Sequence, residues 1–139
     1  MNLNDLNVLM VEQKKKNKGI IFMKNILKLE EAAMFGFCIY ALSLFHADWW
    51  VYLLILLGPD ISMLAYLLNN TIGAVSYNLF HHKGIAIGVF AVGFILKDEW
   101  MQITGIILFG HSSMDRMFGY GLKLDQGFKY THLGMIGKR

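Results

Sequence analysis

EWMQITGIILFGHSSMDR, residues 99 to 116, is the stretch on which the reading of this chain turns. Most of it is apolar enough for the inside of a membrane helix, yet it closes on a histidine, two serines, an aspartate and an arginine. Hydrocarbon offers such groups no hydrogen bonds, so a spanning helix must turn them inward to partners of its own. Residues four apart share a helix face, which sets His111 and Asp115 side by side and leaves Arg116 nearer the helix end.

The rest of the chain supports that setting. It has 139 residues, the length of a single domain, with 55% hydrophobic and 17% charged residues and one proline. Apolar stretches near the ~20 residues needed to cross a bilayer recur along it. We read an all-α, integral membrane four-helix bundle, multi-pass, in the inner (plasma) membrane of a bacterium. Residues 1–22 form a mobile or surface-lying leader, and Met23-Lys24 reads as an alternative start that makes this leader dispensable. Residues 23–139 form a single four-span domain, whose segment 121–139 is too polar and glycine-rich to span and lies at the interface.

The spans are expected at about Ile26–Ala47, Trp49–Leu68, Thr71–Leu96 and Trp100–Tyr120. Gly58-Pro59-Asp60 interrupts the second, since proline removes a backbone donor and kinks a helix unless neighbouring protein satisfies the freed carbonyl. The third is expected to be broken near His81-His82-Lys83-Gly84, with Thr71 as its N-cap. Trp49 and Trp50 suit an interfacial belt. The net charge is +3, with Lys14, Lys15, Lys16 and Lys18 near one end and Lys123, Lys129, Lys138 and Arg139 near the other. Four crossings put both basic termini in the cytoplasm and leave one lysine in the outward loops, as the positive-inside rule requires. These charges suit a lipid bilayer as partner and give no case for nucleic acid.

Cys38 is the only cysteine, so neither an intrachain disulfide nor a cysteine-rich zinc motif can form. It reads as apolar filler, and Gly73, Gly84, Gly88, Gly93, Gly105 and Gly110 read as points of close helix approach.

Depth then groups the polar residues. At 1.5 Å per residue, Asp60 lies roughly 16 Å from Trp49, His111 roughly 16 Å from Trp100, and His81 roughly 15 Å from Thr71. Three helices therefore carry an ionisable group at one level, with Asp115 a turn below. Two imidazoles and two carboxylates make a mixed N/O set for a divalent metal, Zn²⁺, Mn²⁺ or Fe²⁺. Glu30 is a candidate general base, Arg116 a candidate for steadying charge, and Asn78, His82, Lys83 and His132 are candidate substrate-binding residues. Taken singly, each also reads as a bundle residue satisfied by hydrogen bonds, and Asp115-Arg116 as a surface ion pair.

LGPDISMLAYL (57–67), GAVSYNLFHH (73–82), HSSMDRMFGYGLK (111–123) and GFKYTHLGMIG (127–137) resemble the domain-of-unknown-function 4260 family of small bacterial integral membrane proteins. The resemblance covers about Leu29 to Gly137 and includes the family's Leu-Glu at Leu29-Glu30; its histidine after Tyr-Asn falls on His81. More remotely, the order Pro59-Asp60, His81, then His111 to Asp115 is similar to that of membrane-bound metal-dependent hydrolases, without their His-Arg and Thr-His pair in the middle motif. The leading reading is a metal-dependent hydrolase of a lipid-like or amphipathic substrate, in which an ion held by Asp60, His81, His111 and Asp115 activates a water. The alternatives are a proton or small-solute carrier, which with four helices would need to be a homo-oligomer, and a non-catalytic membrane subunit.

Overall fold

The computed structural model describes residues 3–137, and their architecture is all-helical apart from a small hairpin in the tail. In chain order come α1 (Leu3–Leu44), α2 (Trp49–Leu57), a 3₁₀ helix (Gly58–Leu67), α3 (Asn70–His81), α4 (Lys83–Leu96) and α5 (Glu99–Phe118). A two-stranded antiparallel hairpin follows, β1 (Tyr130–Thr131) and β2 (Gly134–Met135). Helix α5 is the hub, packing on α1, α2, α3 and α4, while α3 lies along the 3₁₀ helix.

Helix α1 differs from the expected leader-plus-span. It is one helix of 42 residues, about 63 Å long, and residues 3–30 are exposed throughout. The supposed leader is therefore helical from Leu3 onward; residues 1 and 2 lie outside the described residues. Burial begins where α1 meets α5: Cys38 and Leu42 join Val51, Ile55, Ile103, Ile106 and Ile107 in the apolar core, so Cys38 is filler as expected.

Pro59 falls in the first turn of the 3₁₀ helix, where a missing N–H is cheap. Three residues per turn then eclipse positions i and i+3, which aligns Asp60, Met63 and Tyr66 on one face. The third span is broken as expected: α3 and α4 meet at His82 at an angle of 50°. Its N-cap is Asn69, not Thr71, because the Asn69 side chain accepts from the Ile72 N–H at 2.8 Å.

Close approach fixes the α4–α5 contact. A Cβ on Gly105 would stand 2.7 Å from the Phe90 backbone nitrogen, and one on Gly93 would stand 2.8 Å from that of Gln102. Gly88 meets nothing within 4 Å, so it plays no such part. At the far end, the Trp50 and Trp100 rings stack with centroids 5.8 Å apart, which brings the 45–48 and 97–98 loops together.

Helix α2 with the 3₁₀ helix, Trp49–Leu67, is long and apolar enough to cross a membrane, with mean hydropathy 1.7. The bent pair α3–α4 qualifies when taken as one span. Helix α5 does not, because the polar residues at its end lower its hydropathy.

Candidate metal centre

Asp60 on the 3₁₀ helix, His81 at the end of α3, and His111 with Asp115 on α5 converge. One ligand atom from each lies within 4.8 Å of the others. Asp60 Oδ1 is 3.6 Å from His81 Nε2 and 3.4 Å from His111 Nε2, while the Asp115 carboxylate is 3.5 Å from His81 Nε2 and 3.9 Å from His111 Nε2. His111 is fully buried, His81 nearly so, and Asp115 almost as deep; the Asp60 side chain is 37% exposed and marks the mouth.

Backbone chemistry fixes how the imidazoles face. The Ile55 carbonyl would ordinarily accept from residue 59 in a continued α-helix, but residue 59 is proline and has no N–H. His111 Nδ1 lies 3.1 Å from that carbonyl and supplies the donor Pro59 lacks. His81 Nδ1 lies 2.8 Å from the Tyr77 carbonyl. A carbonyl only accepts, so both rings carry their proton on Nδ1 and turn an Nε2 lone pair to the centre.

Four acceptors thus face one another, and of them Asp115 alone has a donor, the Tyr77 hydroxyl. Asp60 Oδ1, His81 Nε2 and His111 Nε2 are buried and have no hydrogen-bond partner. Ion pairing between imidazolium and carboxylate does not explain this, since charge-assisted hydrogen bonds run about 2.7–2.9 Å and these separations are longer. Three of them, 3.4–3.6 Å, match atoms held on a common cation, since ligands about 2.0–2.2 Å from a tetrahedral ion lie roughly 3.3–3.6 Å apart, while the 3.9 Å pair and the 4.8 Å spread are wider.

Tyr77 completes the arrangement. Its hydroxyl donates to Asp115 Oδ2, and its ring stacks on His81 with centroids 3.7 Å apart. Outer partners of this kind orient ligands, and their loss costs about 10–100-fold in metal affinity. Tyr77→Phe is expected to weaken zinc binding by about that factor while the stacked ring keeps the fold, as read by competition with a chelating dye. The four-residue spacing of Tyr77 and His81 was the available signal for this role.

The other expected site residues stand elsewhere. Glu30 is exposed and lines an apolar groove between α1 and α4, away from the centre; it is Glu31, a further 100° round the helix, that pairs with a cation, Lys83. Glu30 is therefore not placed as a base for this cluster. Lys83 is held by Glu31 and over the Phe109 ring at 5.0 Å. Arg116 donates to the Ser112 carbonyl and to the His81 carbonyl, both at 3.3 Å, and so satisfies a backbone group freed by the α3–α4 break. His82 forms that break and is exposed. Asn78 clasps the tail, donating to the Lys123 carbonyl at 2.9 Å and accepting from its N–H at 2.7 Å. His132 Nδ1 accepts from the Leu122 N–H at 2.8 Å inside the tail.

Lys123, not among the expected site residues, packs on Tyr77 beside the cluster. It is 4% exposed, with Nζ over the Phe128 ring at 3.9 Å and over the Tyr77 ring at 4.8 Å. Burial pushes its ammonium below the ordinary lysine range, against the opposing pull of Asp115 and Asp60.

No curated protein and no solved structure matches this chain. The family described as "Domain of unknown function (DUF4260)" matches residues 24–136, which include every residue of the cluster and most of the tail. The chain belongs to the DUF4260 family.

Proposed function

We propose that this is an integral membrane protein that holds a divalent transition metal between Asp60, His81, His111 and Asp115, and hydrolyses a lipid-like or amphipathic substrate there. The observation that carries the metal is the convergence of four ligand atoms, three of them buried and without a hydrogen-bond partner, with both imidazoles oriented by main-chain carbonyls. Two nitrogens and two oxygens suit Zn²⁺ first, with Mn²⁺ and Fe²⁺ as alternatives. Such an ion, when bound, polarises a phosphoryl or acyl oxygen and lowers the pKa of a bound water.

The chain's own residues do the rest. His81, His111 and Asp115 form the buried wall, Tyr77 orients Asp115, and the half-exposed Asp60 faces the side from which a substrate arrives. The likeness to membrane-bound hydrolases rests on motif order alone and adds only a direction. Arg116 closes the helix break, which favours a rigid centre over the moving half-helices of a carrier.

Support for the membrane comes from the outer surface. Phe37, Leu53, Leu57, Leu64, Val75 and Phe94 are each about half exposed or more, on five successive helical segments. A ring of large apolar side chains of this extent is the reverse of a water-facing surface. The plasma membrane with both termini cytoplasmic follows from the placement of the lysines.

Detergent-purified protein is expected to carry close to stoichiometric zinc, manganese or iron by elemental analysis. Turnover of a fluorogenic phosphate or ester lipid should cease on chelation and return with the metal. Protein purified without chelators that holds only trace metal would sink the proposal.

A further inference from the structure

The tail after α5 is polar, yet one of its side chains packs inside the molecule. Lys123 is buried, and its Nζ stands 4.8 Å from the centre of the Tyr77 ring. His81 stacks on one face of that ring with centroids 3.7 Å apart, so the ammonium lies over the other. The ring is thus held on both faces, and its hydroxyl donates to Asp115 Oδ2.

The tail is anchored at this contact from three sides. Asn78, next to Tyr77 on α3, donates to the Lys123 carbonyl at 2.9 Å and accepts from its N–H at 2.7 Å, which fixes the backbone from which the ammonium extends. Lys123 also bridges to Thr131, and Phe128, 3.9 Å from Nζ, packs edge-on against Tyr66 of the 3₁₀ helix. A cation over a ring face is attracted by the ring electrons, most strongly where water is excluded. It also draws density from the ring, which makes a phenol hydroxyl a better donor. Here that donor ends on a carboxylate of the cluster.

We propose that Lys123 is a positioning residue of the metal centre: it acts through the face of Tyr77 to hold the hydroxyl on Asp115, so that the tail clasped by Asn78 helps to set the affinity for the metal. The inference rests on the metal reading above and adds to it a part of the chain that supplies no ligand. Charge alone would act the other way, since an ammonium repels a divalent ion whatever the hydroxyl does. The two effects separate in a double-mutant cycle, because only the first needs the Tyr77 hydroxyl.

The test uses the full chain in an uncharged detergent, with zinc affinity read by competition with a chelating dye and zinc content by elemental analysis. With Tyr77 in place, Lys123→Met should weaken zinc binding roughly three- to tenfold, less than loss of the hydroxyl itself, and Lys123→Arg should retain most of the affinity. Asn78→Ala frees the Lys123 backbone without changing any charge and should weaken binding in the same direction. In the Tyr77→Phe background neither Lys123→Met nor Asn78→Ala should weaken it further, since the hydroxyl they act through is gone. If Lys123→Met does not fold, Asn78→Ala decides by the same comparison. A loss of equal factor in both backgrounds, no loss in either, or tighter binding of Lys123→Met in both overturns this inference and leaves the metal centre standing. A chain that holds no zinc overturns the metal reading, and this one with it.

Discussion

Replacing His111 with alanine is expected to strip the metal from the protein and with it any stabilisation the metal confers. His111 contributes an unpartnered lone pair to the centre and a donor to the Ile55 carbonyl, so alanine removes a ligand and orphans a buried backbone group together. Since loss of an outer partner alone costs about 10–100-fold in affinity, loss of this ligand should exceed the upper end of that range. Wild-type protein should melt at higher temperature as zinc is added, because a ligand that binds only the folded state stabilises it by mass action. The His111→Ala melt should not move with zinc. Asp60→Ala is the cleaner companion, since the half-exposed Asp60 side chain has no other bond to lose. Equal zinc content in wild type and both variants would refute the ligand assignment.

The second large effect concerns packing. Gly105→Leu places a side chain where the Phe90 backbone already stands, with Cβ contacts of 2.7 Å to its nitrogen and 2.8 Å to its Cα. Backbone cannot swing away as a side-chain tip can, so α4 and α5 must separate along their contact. The cost is expected to reach roughly 3 kcal/mol, the upper part of the range for overpacked cores. Gly88→Leu is the control: its Cβ meets nothing within 4 Å, and its melting temperature in detergent should match wild type. Equal behaviour of the two variants would mean that α4 and α5 do not meet as described.

Much of the centre could be read from spacing and depth. His111 and Asp115 are four residues apart on one helix, and counting residues along each span put Asp60 and His81 at the same level; the four converge. Helical period and rise are properties of the backbone, so they survive without knowledge of tertiary contacts. The break at His82 was legible because a cluster of polar residues ending in Lys83-Gly84 interrupted an apolar run.

What escaped depended on rotation or on distant chain. Glu30 and Glu31 are indistinguishable in a sequence, yet one turns to the groove and the other to Lys83. The continuation of α2 is a 3₁₀ helix packed against α3, a tertiary contact that propensity does not report. Arg116 looked like a site cation because its use is by a carbonyl on α3, 35 positions back in the chain. Lys123 was hidden for a related reason: it belongs to a polar tail, and only the clasp by Asn78, 45 positions away, brings it under cover.

The stacked indoles have an optical consequence. All three tryptophans, Trp49, Trp50 and Trp100, sit at the loop end of the molecule, and His111 lies about 16 Å along α5 from Trp100. The chromophore beside the centre is a tyrosine, Tyr77. Emission excited at the red edge of the indole band therefore reports the integrity of the loop end, while a change in tyrosine absorbance reports events at the ligands. One sample thus offers two separate colours for two ends of the same helix.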